Sequence, residues 1–168
     1  MITMKTAKKI FILSIFAALP ITAMAQVSPF VSAQVDAAAR PCSDLAGATA
    51  GLPDEQAKAV ATAALGPCYD ALKTLDAFEK ENSTGMSADE RNYLYFVGGN
   101  VIWLTAASET MKNNGQVNLA ICGQVKAAEA AWANVSVPAG SQVDIRMQSS
   151  DLRRLLVPVC NQGPTTGQ

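Results

Sequence analysis

From Asn92 to Ser108 the chain runs for 17 residues without a charged side chain, and a helix start lies immediately upstream. Ser87-Ala88-Asp89-Glu90 places serine at an N-cap and glutamate three residues on, so that hydroxyl and carboxylate can each satisfy a backbone N–H of the first turn. The spacing predicts a helix from Ala88 to about Asn113. Leu94, Val97, Val101, Leu104, Ser108 and Met111 recur at steps of three and four and form one core-facing stripe. At about 100° per residue, Tyr95, Phe96, Ile102 and Trp103 fall well away from that stripe, so the helix is apolar on more than one side. Such a helix is either buried in a bundle or meets another molecule.

A bilayer span needs roughly 20 apolar residues. Asn92, Asn100, Gly98 and Gly99 interrupt this run and its stripe is amphipathic, so a central bundle helix is the better reading. Two adjacent glycines cost about 2 kcal/mol in helix propensity relative to alanine, and close approach of a neighbouring helix is expected to offset this. The functional reading of the same side is a partner-binding patch of Tyr95, Phe96, Ile102 and Trp103, left exposed beside the glycines. Aromatic anchors of that kind make up binding hot spots, although aromatics at helical spacing also serve as core.

The N-terminus reads as an export signal, residues 1–25. Lys5, Lys8 and Lys9 form a basic end, Ile10 to Leu19 an apolar run, Pro20 a breaker, and Ala23-Met24-Ala25 a cleavage site with small residues. Cleavage before Gln26 leaves 143 residues, with 10 of the 13 basic residues against 14 acidic ones, a net charge of −4. The remaining cations are scattered, with only Arg153 and Arg154 adjacent, so a nucleic-acid partner is excluded. No cysteine stands at the cleavage site for lipidation, and no membrane insertion is expected once the signal is removed.

Cys42, Cys68, Cys122 and Cys160 all lie beyond the signal, in a chain bound for an oxidising compartment. The closest spacing is 26 residues, far from the two to four that a zinc or redox pair of thiolates uses. Two structural disulfides are therefore expected. Of the three possible connectivities, Cys42–Cys68 with Cys122–Cys160 is preferred, because each bridge then staples neighbouring helices without a threaded crossing.

The chain has no histidine. That removes the Ser-His-Asp triad, the Cys-His dyad, the HExxH zinc site and the imidazole pH switch. Glu90, Glu109 and Glu129, or Asp70 and Asp76, could be cast as paired carboxylates, but nothing in their spacing supports an acid/base pair. Each is expected at a helix start or on a solvated face, Asp76 pairing with Lys80 one turn on. Arg153 and Arg154 are read as compensation of a helix dipole rather than as a grip on a partner carboxylate. No metal and no cofactor is expected.

Along the chain, residues 26–41 read as a partly ordered N-terminal arm, with Pro29 and Pro41 as breakers and only Val35 to Arg40 turning into helix. Ser43 can cap a short helix from Asp44 to Ala50, and Asp54 to Leu65 forms a small-residue helix through Ala57, Val60, Ala61 and Ala64. Gly66-Pro67 is expected to interrupt it, with Pro67 opening a new helix to about Glu81. After Asn113-Asn114-Gly115, helical spacing resumes from Val117 to Trp132 through Ile121, Val125 and Ala128. Ser141 to Met147 carries both strand and helix signals and is taken as helix. A last helix, capped by Ser149 or Ser150, ends at Pro158, and 161–168 is a disordered tail.

The fold class is thus all-α: a small helical bundle of five or six helices stapled by two disulfides, a single domain over 42–160. By exclusion of catalytic chemistry, the expected function is that of an exported periplasmic protein-binding domain, non-catalytic, of the inhibitor or immunity type. The alternatives are a periplasmic stress chaperone that exposes apolar helix faces, and a small-molecule carrier with a pocket lined by Phe96, Ile102, Trp103 and Trp132.

Overall fold

The computed structural model describes residues 27–116 and 119–133, together with 157, 160 and 161. All regular structure among these residues is helical: α1 (Pro29–Gly47), α2 (Asp54–Asn82), α3 (Ala88–Lys112), a 3-10 turn (Leu119–Ile121) and α4 (Cys122–Trp132). The export signal, the loop and helix readings between 134 and 156, Arg153, Arg154 and residues 162–168 lie outside the described residues.

α1 replaces the expected arm and the separate helix after it. Ser28 caps it, its hydroxyl accepting from the Val31 N–H at 3.3 Å, and Pro29 occupies the first turn, where a missing N–H costs nothing. Val31, Val35, Ala39, Cys42 and Ala46 then recur at steps of four and three and are buried. Pro41 lies inside the helix, and Ser43, expected as a cap, instead donates to the Arg40 carbonyl at 3.1 Å. An interior proline costs about 3 kcal/mol, whereas burying a valine contributes about 1.5–3 kcal/mol. Val31 and Val35 alone offset the proline, and packing overrides the local signal.

The same correction applies to α2, which runs unbroken through Gly66-Pro67 for 29 residues. Ala61, Ala64 and Leu65 before the proline and Cys68, Ala71 and Leu75 after it continue one buried face. Pro41 and Pro67 each directly precede a wholly buried cysteine, and these two cysteines are joined, Cys42 to Cys68, with sulfurs 1.99 Å and Cα atoms 4.4 Å apart. Cys122 and Cys160 are likewise at bonding distance, 1.98 Å, with Cα atoms 5.2 Å apart. Both pairings are those expected between neighbours. Val157, Cys160 and Asn161 are helical, so Asn161 does not open the tail expected from 161 on, while Pro158, expected to end the last helix, lies outside the described residues.

α3 matches its expectation closely. The capping box is formed, the Ser87 hydroxyl accepting from the Glu90 N–H at 3.2 Å and the Glu90 carboxylate from the Ser87 N–H at 2.8 Å. At its other end Asn114 and Gly115 adopt φ of 54° and 85°, a left-handed turn that these two residue types tolerate best, and the Gly115 N–H donates to the Thr110 carbonyl at 2.8 Å.

Helix α3 packs against α1, α2 and α4 and divides the core in two. Leu94 and Val101, with Val97 and Leu104 half-buried, face a cluster built from the buried stripes of α1 and α2. Phe96, Trp103 and Ala106 face a second cluster with Ile121, Cys122, Val125 and Cys160. Met111, placed by the sequence at the end of the core stripe, is instead exposed. Among the described residues no helix is long and apolar enough to cross a membrane.

Candidate functional site

The glycine pair of α3 lies in a groove. Tyr95, Gly98, Gly99 and Ile102 recur at steps of three, one and three on α3, and Leu72, Leu75, Asp76 and Glu79 recur at the same steps on α2. Equal spacing on two packed helices gives two facing stripes. Ala127 and Ala128 of α4 line the third side, and the open groove has a volume of about 330 Å³. Leu75 and Leu94 are buried at its floor, and Leu72 and Ile102 are half-buried along it.

The small residues make the groove. Among the described residues a Cβ placed on Gly98 would meet nothing within 4 Å, so none of the described helices uses the close approach that this glycine permits. Helix contact was the expected reason for the glycine pair, and at Gly98 it is not the reason. Among the described residues the backbone there faces the groove between α2 and α4.

The rim is acidic and hydrogen-bonded. Tyr95, 37% exposed, donates from its hydroxyl to the Glu79 carboxylate at 2.7 Å and so bridges α3 to α2. That bond to Glu79, more than burial, raises the Tyr95 pKa above the usual phenol value. One turn away, Asp76 accepts from Lys80 at 2.6 Å, both side chains being largely in solvent, as expected of this pair.

Tyr95 belongs to a wider pattern, since each of the three tyrosines donates to a carboxylate on another helix. Tyr69 of α2 reaches the buried Glu109 of α3 at 3.1 Å, and Tyr93 of α3 donates to Asp36 of α1. Burial first, and then the facing carboxylate, raises the pKa of both Tyr69 and Tyr93. Glu90 joins α1 to α3 as well, accepting from the Ser28 N–H at 3.4 Å in addition to its capping bond. Hydrogen bonds from Ser28 and then Ser87 hold the Glu90 pKa down at about 2. The carboxylates weighed as acid/base candidates therefore include two with architectural tasks: Glu90 caps a helix and Glu109 receives a tyrosine. Asp70 makes an exposed pair with Lys73 at 3.6 Å, and Glu129 is half-buried on α4.

The expected partner-binding patch divides accordingly. Tyr95 and Ile102 line the groove, whereas Phe96 and Trp103 are only 5% and 1% exposed and fill the second core cluster. Helical geometry is the cause. Phe96 and Trp103 are seven residues apart, on a face turned about 100° from the face of Tyr95 and Ile102, and the first face is covered by α4. Of the four residues named for a carrier pocket, Ile102 lines this groove, while Phe96 and Trp103 pack in the second core cluster. The side chain of Trp132 lies outside the described residues.

Sequence reasoning missed the α2 and α4 contributions, Leu72, Asp76, Glu79, Ala127 and Ala128. The matching three-one-three steps on α2 and α3 were the available signal. Among the described residues no group of three His, Cys, Asp or Glu side chains is placed to hold a metal ion. No family model, no curated protein and no solved structure matches the chain.

Proposed function

We propose that the chain is an exported, non-catalytic protein-binding domain of the periplasm, in the manner of a specific inhibitor or immunity protein, and that its partner seats in the groove between α2, α3 and α4. The observation that carries this reading is the groove at Gly98: a helix gives up about 1 kcal/mol of propensity there, at a position where an added Cβ would meet none of the described residues within 4 Å. The two cystines support an oxidising compartment and a rigid scaffold, and rigidity lowers the ordering cost of association. The test is affinity capture with residues 26–168 as bait in extract of the native source, with Gly98→Leu as control. One stoichiometric partner lost in the variant is the expected result. Partners retained by Gly98→Leu, or none at all, would overturn the reading.

A second reading, the stress chaperone, is favoured by one separate observation. The bonds joining α1, α2 and α3 end on carboxylates, at Asp36, Glu79, Glu90 and Glu109. Protonation of Glu90 would remove an acceptor that joins α1 to α3, without any histidine. A chaperone of this kind binds a hydrophobic dye at about pH 3, whereas a rigid inhibitor does not.

A further inference from the structure

We propose that the occupant of the groove is a basic amphipathic helix of the partner protein, with one apolar side chain seated over Gly98 and a lysine or arginine meeting Asp76 and Glu79. This inference rests on the protein-binding reading and names the chemistry of its ligand. Three observations define the occupant.

The first is the wall chemistry. Every lining residue belongs to α2, α3 or α4, whose backbone N–H and C=O groups are used within the helices. Among the described residues no sheet edge is offered to an extended peptide, so recognition runs through side chains, which is the helix-in-groove mode. The second is shape. At Gly98 a Cβ would meet none of the described residues within 4 Å, and Leu72, Ile102, Ala127 and Ala128 line the same groove with apolar side chains. An apolar knob from a facing helix fits such a hole as knobs fit between helices generally.

The third is charge. Asp76 and Glu79 stand three residues apart on the α2 side of the groove. The Lys80 partner of Asp76 is a solvent-exposed i,i+4 ion, and such pairs exchange at little cost. Glu79 accepts one bond from Tyr95, and a carboxylate has about four acceptor positions, so an incoming cation adds to that bond and does not displace it. The net charge of −4 on residues 26–168 steers a basic partner in the same sense.

The experiment uses a fluorescent Leu/Lys amphipathic helical peptide of about fourteen residues, four turns, against a Leu/Glu peptide of identical spacing, titrated into residues 26–168. The Leu/Lys peptide is expected to bind and the Leu/Glu peptide to bind at least about tenfold more weakly, a difference of about 1.4 kcal/mol. Gly98→Leu should weaken Leu/Lys binding by about tenfold or more while its thermal unfolding temperature stays at or above that of the parent, because leucine is the better helix former. Asp76→Asn combined with Glu79→Gln should weaken binding and flatten its salt dependence. Equal binding of the two peptides, binding of neither, or Leu/Lys binding indifferent to Gly98→Leu would overturn the proposal. If the peptides fail but capture of the native partner remains sensitive to Gly98→Leu, only the basic-helix inference falls. If capture is also indifferent, the protein-binding reading of the groove falls with it.

Discussion

The two sides of α3 are built by different means. Toward α1 and α2 the core carries many small side chains, Val31, Val35, Ala39, Ala64 and Ala71 among them, beside the larger Leu75, Met86 and Leu94, with a disulfide whose Cα atoms are 4.4 Å apart. Toward α4 it is made of Phe96 and Trp103 against Ile121, Val125 and a disulfide at 5.2 Å. Small residues let helices approach, while large aromatics fill a wider gap from one helix. The first side is also tied by polar bonds that end on Asp36, Glu90 and Glu109. Its long helices tolerate Pro41 and Pro67, because buried stripes run on either side of each proline. A helix survives a local breaker when enough apolar surface is buried beyond it.

The difference predicts opposite responses to changes of side-chain volume. Trp103→Ala empties the aromatic side and should cost about 3–5 kcal/mol, read by denaturant unfolding; a loss below about 1 kcal/mol would show that Trp103 is not core. Next in size are the disulfides. Replacing each cysteine pair with alanines opens loops of 26 and 38 residues, for which chain entropy gives losses of about 3.5 and about 3.9 kcal/mol. Loop length barely separates the two, so a markedly larger loss for one pair measures how far packing on that side depends on its bridge. Ala64→Leu, at a wholly buried position on the tight side, should cost about 1–3 kcal/mol by overpacking, and a stabilised variant would contradict close packing of α2 there.

The smallest effect is with pH and belongs to the first side alone. The Glu90 pKa is lowered from 4.5 to about 2, so its contribution to stability is present above pH 4.5 and is lost as pH falls toward 2. Glu90→Gln should flatten that acid limb of the unfolding profile. At the other extreme the raised pKa values of Tyr69, Tyr93 and Tyr95 make their contribution complete below pH 10 and lost as pH rises beyond it. Hydrogen exchange at either extreme should open α1 before α4. Simultaneous opening would mean that the two sides unfold as one unit.

Much of this was legible in the residues. Ser87 and Glu90 marked the start of α3, Asn113 to Gly115 its end, and the pairing of Cys42 with Cys68 and Cys122 with Cys160 followed from neighbouring helices. Those features are local, or depend only on order along the chain. The continuity of α1 and α2 was not legible, because proline acts locally and the burial that overrides it is contributed by another helix. For the candidate site, Tyr95, Ile102 and the glycines were visible as a face of α3, but a face has no depth until its neighbours are set.

What the sequence determined by itself is helical class, capping, turn chemistry and the absence of imidazole, all properties of single residues or of spacing within one element. The tertiary structure alone decided which apolar face of α3 is covered. α4 covers Phe96 and Trp103, and beside Gly98 the backbone stays open between Glu79 and Ala127. The two faces are equally apolar in the sequence, and only the position of α4 relative to α2 distinguishes core from groove.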